Sequence, residues 1–495
     1  MNDRGKSDSP VVPAKPPNNA ACAAAEVVEE RGLAEGNTSG STRPGHRAGS
    51  AVPSGLDRVR EVARRDKEAR FTALLHHIDL PRLRAAFWAI RPSAAAGVDG
   101  VMWQDYRQGL DENLRDLHGR VHSGAYQAKP SRRAYIPKAD GRRRPLGIAS
   151  LEDKILQRAV VEVLNAIYET DFLGFSYGFR PGRGPHQALD ALSVGIRRKR
   201  VNRVLDADIR EFFTSLDHRW LMRFLEHRIA DKRVLRLVGK WLSAGVIEKD
   251  EWSETEGAPQ GASASPLLAN VYLHYVFDLW VQWWRNRFAS GDVIAVRFAD
   301  DFAMGFEYQD DALRFLADLR ERFAKIGLEL HPDKTRLIDA GRHAARHRKA
   351  RGDRTPETFD FLGFTHLCGL TTTGRFWVKR KTISKRMRAK LAEVNDQLKR
   401  RRHQPIPEQG RWLRSVVSGH LAYYAVPGNT DVVAAFRTQV TRHWYKALRR
   451  RSQRTRLTWT RMNRIATRWL PPARLRHPFP DTRFDARTQG RSPVR

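Results

Sequence analysis

Residues 296–306 read VRFADDFAMGF. Two adjacent carboxylates, Asp300 and Asp301, stand between short runs rich in Val, Ile and Phe, and runs of that kind form strands. The stretch therefore predicts a hairpin with a pair of charges at its tip. Burying one unpaired carboxylate is costly, and two side by side also repel. Most Asp–Asp pairs are solvated turns, so a further feature must decide. That feature is Asp208, at the end of the strand-like run RVLDAD (203–208) and just before a predicted helix. Two carboxylates from a hairpin tip and one from a neighbouring strand end together suffice to hold two divalent cations, which remove the repulsion. Cations ~3.5–4 Å apart activate a 3′-hydroxyl and stabilise the leaving oxygen of an in-line phosphoryl transfer. Mg²⁺ suits such an all-oxygen site, because phosphates and waters complete its shell.

The whole chain points to a polyanionic partner. It has 495 residues and a formal net charge of +34, from 89 Lys and Arg against 55 Asp and Glu. That excess is far beyond what solubility needs and fits nucleic acid or an anionic membrane surface. No apolar run reaches the ~18 residues of a membrane span, and MNDRGKSDSP at the start lacks the form of a secretory signal. Basic residues are spread over several segments rather than along one amphipathic helix, so nucleic acid is the expected partner and the cytoplasm the expected compartment. The two cysteines, Cys22 and Cys368, fit a reducing compartment and exclude a zinc module built on four. The 17 histidines show no H-E-x-x-H spacing.

Outward from the hairpin, the pattern is mixed helix and strand. Residues 1–55 are rich in Pro, Ala, Gly and Ser and read as a disordered tail. Residues 56–200 read as mainly helical, apart from a hairpin at 134–148 with ADG as its turn. Residues 257–284 begin as a small-residue loop and become an apolar helix near Ser265 and Pro266, with Ser as cap. The run FDFLGF predicts another strand pair. After about residue 375 the chain turns helical, with Met387, Leu391, Val394 and Leu398 on one face and Lys and Arg on the others. Between Arg442 and Arg476 there are twelve Lys or Arg and no acid, interleaved with Trp444, Tyr445, Trp459 and Trp469.

These segments, taken in order, resemble the group II intron reverse transcriptases, also called intron-encoded maturases. The resemblance runs through GVDGV (97–101), IPKADGRRRPLGIASLEDKILQRAV, YGFRPGRGPHQAL, DADIREFFTSLDH, GAPQGASASPLLANVYLH, RFADDF, GLELHPDKT, FDFLGF and SGHLAYYAVPGN (418–429). It covers roughly residues 70–480 and implies an α+β fold of the right-hand polymerase kind. Fingers and palm would fill 56–366, a helical thumb and maturase region 367–480, and a tail 481–495. The implied activity is RNA-directed DNA synthesis by two-metal nucleotidyl transfer, with binding of intron RNA to promote its splicing. The implied cofactor is Mg²⁺, as two ions, and the implied partners are an intron RNA template, a DNA primer and dNTPs.

Carried over by position, the resemblance makes Asp208, Asp300 and Asp301 the catalytic metal ligands, with the main-chain carbonyl of Ile209 facing a metal. Lys138 and Arg144 fall where finger residues grip the triphosphate. Phe213 falls at the steric gate, with Phe212 its neighbour. Gln260 would sit by the nucleotide, and Lys334 would assist the departing pyrophosphate. Arg449, Arg450 and Arg451 are the basic run expected to contact RNA. PGRGP (181–185) is no phosphate loop, since no Gly-Lys-Ser/Thr follows. Three positions depart from the family pattern: Phe298 replaces the usual Tyr, Thr214 stands where Asp is frequent, and Ala264 stands where a bulkier residue is common, implying a looser pocket. The family's frequent Cys/His nuclease module is not expected, so a mobile-intron protein of this kind would take its primer elsewhere. Two other readings stay open: a domesticated reverse transcriptase without an intron, in defence or repair, and a splicing cofactor with an inactive polymerase.

Overall fold

The computed structural model describes residues 55–137, 143–248, 251–253, 257, 261–342, 344, 352, 357–371, 373–452 and 456–488. Four helices come first: α1 (Gly55–Arg65), α2 (Leu80–Ala89), α3 (Trp103–Gln108) and α4 (Leu110–Ser123). The expected hairpin follows as β1 (Ser131–Pro137) and β2 (Arg143–Ile148), paired antiparallel with Ile136 opposite Arg144. Its turn lies outside the described residues. The chain continues through α5 (Leu151–Asp171), α6 (Pro185–Arg198), β3 (Arg203–Asp208), α7 (His218–Glu226), α8 (Lys232–Ser243), β4 (Val246–Glu248) and β5 (Glu251–Ser253). The hairpin joins the last two strands in a sheet of order β2-β1-β4-β5.

Helix α9 (Ser265–Leu273) runs through a π turn (His274–Asp278) into α10 (Leu279–Arg287), followed by β6 (Val293–Phe298), β7 (Asp301–Phe306), α11 (Gln309–Ala324) and β8 (Arg336–Asp339). Ser265 is the first residue of α9 and not its side-chain cap; Pro266 holds the first turn as expected. Strands β6, β7, β3 and β8 form an antiparallel sheet in that order. Alternation along each strand gives this sheet two buried faces. Leu205, Ala207, Ala295, Phe302, Met304 and Leu337 face one core, shared with α5, α9, α10 and α11. Val204, Ile294, Val296, Ala303 and Ile338 face a second core, shared with α6 and the strands that follow. Asp206 and Asp208 lie on the second face, at its acidic end.

The second small sheet, order β11-β10-β9, contains β9 (Thr358–Phe361), β10 (Phe364–Leu370) and β11 (Phe376–Thr382). Leu362 and Gly363 turn the first pair at φ +47° and +83°, the conformation a two-residue hairpin demands. The expected boundary at 366/367 therefore falls inside β10. Helices α12 (Ser384–Arg400), α13 (Ile406–Tyr424), α14 (Thr430–Arg449) and α15 (Trp459–Trp469) then enclose a third core around Trp444, Leu398 and Val417. The predicted stripe holds: Val394 and Leu398 are buried, with Met387 and Leu391 against them. Asn429 joins bundle to sheet, its amide donating to Thr382 Oγ1 at 2.8 Å and accepting from Thr382 N at 3.1 Å.

Residues 481–495, expected to be a tail, begin instead in a helix. α16 (Pro480–Thr488) returns to lie on α6. Asp481 and Asp485 pair with Arg197 and Arg198, Arg483 reaches Asp190 at 3.1 Å, and Phe484 enters the second core. Short amphipathic segments far along a chain carry little periodicity of their own, so their partner is invisible until the fold brings it near. Among the described residues, no helix is long and apolar enough to cross a membrane.

Candidate active site

The acidic pair lies where the hairpin reading puts it. β6 and β7 are joined by the two-residue turn Ala299–Asp300, and Ala299 stands at φ +57°. An L-residue there is strained by roughly 1–2 kcal/mol. Register decides the rest. Asp208 faces Asp301 directly across β3 and β7, and Asp301 faces Phe298 across β7 and β6. All three side chains share one face of the sheet, with Asp300 at the adjoining tip. Like charges directly opposite on neighbouring strands are destabilising. The nearest counter-charge is Lys334, whose ammonium ion-pairs with the Asp208 carboxylate.

Asp206 lies two residues before Asp208 and so on the same face. Burial pushes its carboxyl up to about 7, against the pull of Arg336 at 3.6 Å. The D-x-D spacing of strand residues carried that signal in the sequence. Among the described residues, no three His, Cys, Asp or Glu side chains form a ready-made metal cage. The donor set nevertheless fits a hard divalent cation: carboxylates on facing strands, in the style of sites that one or two carboxylates and substrate phosphates complete.

The turn is held from behind by a buried network that sequence reasoning missed. Arg297, alternate to Phe298, points to the opposite face and is fully buried. Its guanidinium donates to both Asp278 oxygens at 2.7 and 2.6 Å, to Ser176 Oγ at 2.7 Å, to Asn270 Oδ1 at 3.1 Å and to the carbonyl of Ala299 at 3.0 Å. Burial pushes the Asp278 carboxyl up, and Arg297 pulls it back. The π turn explains how both helix partners reach one guanidinium. Asn270 and Asp278 are eight residues apart, about 80° around a regular helix. One extra residue in a π turn brings them to within about 20°.

The segment after α5 completes the support. Tyr177 N donates to Arg297 O and Arg297 N to Phe175 O, each at 2.8 Å. Asn270 Nδ2 donates to Gly178 O at 2.7 Å. Gly178 packs so tightly on the turn that a Cβ would overlap the main-chain nitrogen of Ala299.

The other expected residues divide. Ile209 is buried in a bridge to Leu330, and the two hydrogen bonds of that bridge use the main chain of Asp208 and Arg210. Phe213 is half-buried and Phe212 is a core residue, with their rings 5.5 Å apart. Asp208 is followed by turns rather than by a helix at once, since α7 starts only at His218. Arg144 is half-buried on β2. Lys138 and Gln260 lie outside the described residues. Gly257 lies against the main chain of Phe213, and Gly261 against Gly147 O on β2. Ala264 is buried in the main core.

Arg449, Arg450 and Arg451 lie in the helical bundle, apart from the acidic pair. Arg449 and Arg450 are exposed, with Arg449 over the Tyr445 ring. Arg451 is different: its guanidinium donates to the carbonyls of Arg402, at 2.6 Å, and Gln404, and so staples the α12–α13 loop. Trp444 is core, donating to Gln409 Oε1 at 2.7 Å. Trp459 is exposed and stacked on Tyr445 at 4.1 Å.

A family described as reverse transcriptase (RNA-dependent DNA polymerase) matches residues 136–366. Protein YkfC of Escherichia coli (strain K12) is 34% identical over 311 residues, 55% of this chain and 81% of its own length. Group II intron-encoded protein LtrA of Lactococcus lactis subsp. cremoris is 33% identical over 223 residues, 44% of this chain and 37% of that protein. A putative COX1/OXI3 intron 2 protein of Saccharomyces cerevisiae is 31% identical over 186 residues, 36% of this chain and 21% of that protein.

The support behind the turn makes a prediction. Gly178→Ala must displace the Ala299–Asp300 backbone, at about 1–3 kcal/mol of overpacking. Primer extension should fall more steeply than urea stability, because the acids move. Wild-type extension by a folded Gly178→Ala protein would show that the turn does not depend on this contact.

Proposed function

The chain belongs to the group II intron-encoded reverse transcriptase and maturase family, RNA-directed DNA polymerases, and from that premise we propose that it extends a DNA primer along an intron RNA template and helps that RNA to splice. One observation supports this most: Asp208 and Asp301 face each other across adjacent strands, with Asp300 at the tip. In this reading the central sheet is the palm, the β1–β2 hairpin a finger, and the α12–α15 bundle the thumb and RNA-binding region.

Asp208, Asp300 and Asp301, with the carbonyl of Ile209, would hold two Mg²⁺ ions. Such ions would supply charge that neutralises the triphosphate and favours ionisation of the primer 3′-hydroxyl. The remaining work belongs to side chains. Lys334 balances the Asp208 charge and is placed to neutralise departing pyrophosphate. Arg144 on β2 would grip the incoming phosphates through charge-assisted bonds, a role the family resemblance also implies for Lys138. Gln260, outside the described residues, keeps only the nucleotide-binding role that the family resemblance implies. The half-buried Phe213 closes beneath the sugar, where a 2′-hydroxyl would meet its ring. Phe298 keeps an aromatic face at the primer end without a hydroxyl. In the bundle, exposed Arg449 and Arg450 contact RNA phosphates, while Arg451 holds the α12–α13 loop. An intact acid pair counts against an inactive polymerase.

Three outcomes are expected. Asp300→Asn should lower primer extension by roughly 100- to 1000-fold or more, with RNA affinity near wild type; near-normal dNTP incorporation would sink the assignment. Phe213→Val should raise the ratio of ribonucleotide to deoxyribonucleotide incorporation, and an unchanged ratio would place the gate elsewhere. Neutralising Arg449 and Arg450 together should flatten the salt dependence of RNA affinity by about two slope units. Leaving Arg451 in place keeps the loop intact, so an unchanged slope would mean that the pair is only a solvated face.

A further inference from the structure

Phe179 is an anomaly at the rim of the acidic site. It stands at φ +56°, in the left-handed region that bulky residues avoid. It gains no burial in return, because the side chain remains 42% exposed. Strain of this kind persists only where the surroundings over-determine it, and it clusters at functional sites.

The surroundings do so here. On one side, Gly178 is pressed against the Ala299 main chain and its carbonyl is held by Asn270. On the other, buried Arg180 donates to the carbonyls of Leu173 and Ser176 at 2.8 and 2.9 Å and pairs with Glu169. Between these two anchors the chain has little choice of direction. The ring is delivered to Phe298, at 6.5 Å between centroids and 43° between planes. Phe298 is the direct cross-strand neighbour of Asp301.

Two apolar rings thus stand to one side of the carboxylates, Phe298 next to Asp301 and Phe179 next to Phe298, the outer one held at a conformational cost. A nucleotide whose hydroxyl reacts at those carboxylates meets Phe298 beside Asp301, and Phe179 next to Phe298. Resting on the polymerase reading above, we propose that Phe179 is a stacking residue for the terminal nucleotide of the primer, and that its strained backbone is the means of presenting the ring. Aromatic stacking on a base tolerates any sequence, as a polymerase requires, and truncation of such a ring weakens binding by roughly 5- to 100-fold.

Phe179→Gly separates this role from packing. Glycine adopts φ > 0 freely, so loss of the ring relieves strain. The expected result has three parts. Thermal stability is unchanged or raised. Affinity for a fluorescein-labelled DNA primer–RNA template duplex, read by anisotropy, falls roughly 5- to 100-fold, and KM for the duplex rises while KM for dNTP does not. Phe179→Tyr, which keeps ring and backbone, behaves as wild type. A Phe179→Gly protein that melts earlier, or that binds and extends the duplex as wild type does, overturns the proposal. A wild-type protein that binds the duplex without extending it overturns instead the polymerase reading. The anisotropy difference between wild type and Phe179→Gly still measures the stacking in that case.

Discussion

Arg297 and Asp278 form an ion pair with no access to water, and the candidate site rests on it. A buried pair of this kind contributes little net stability against an apolar replacement, yet removal of one partner costs about 3–5 kcal/mol. Its value here is geometric. At the guanidinium the α9–α10 helix, the strand-like stretch at 175–177 and the Ala299 turn meet. A fork with fixed donor directions can hold three elements in register, where a lysine ammonium could not. The two acids on the other face owe their position to it.

The sheet has different tasks on its two faces. Alternation sends Arg297 to one core and Phe298 to the other. Repulsion among Asp206, Asp208 and Asp301 is therefore opposed from below by a rigid, dry scaffold and from beside by Lys334 and Arg336. Ala299 and Phe179 carry the residual strain, both at positive φ and both beside Gly178. Backbone energy is concentrated where the acids and the aromatic rim must be exposed, and it is offset by the network behind them.

The C-terminal region is tied to this scaffold rather than appended to it. Asn429 bonds Thr382, Tyr423 donates to Leu362 O at 2.8 Å, and α16 closes on α6. The run SGHLAYYAVPGN, which resembles the family's maturase signature, supplies both of these sheet contacts. His420 is also inside, stacked on Phe436 at 3.6 Å. Much of that signature works within the fold, so the exposed cations of the bundle are better placed to meet a polyanion than the signature itself.

The sequence by itself determined the local and periodic features. Two strands around Asp300 and Asp301, a third ending at Asp208, and the stripe at Met387, Leu391, Val394 and Leu398 follow from periods of 2 and 3.6, which need only neighbours in the chain. Tertiary structure alone decided the pairings between distant segments. It set Asp208 opposite Asp301, sent Arg297 to Asp278, assigned Arg451 to a loop at 402–404, and brought α16 back to α6. An arginine in a sequence shows its charge but not its partner. Partner choice depends on which face a strand buries and on how one π turn rotates a helix, and those are fixed only when the cores close.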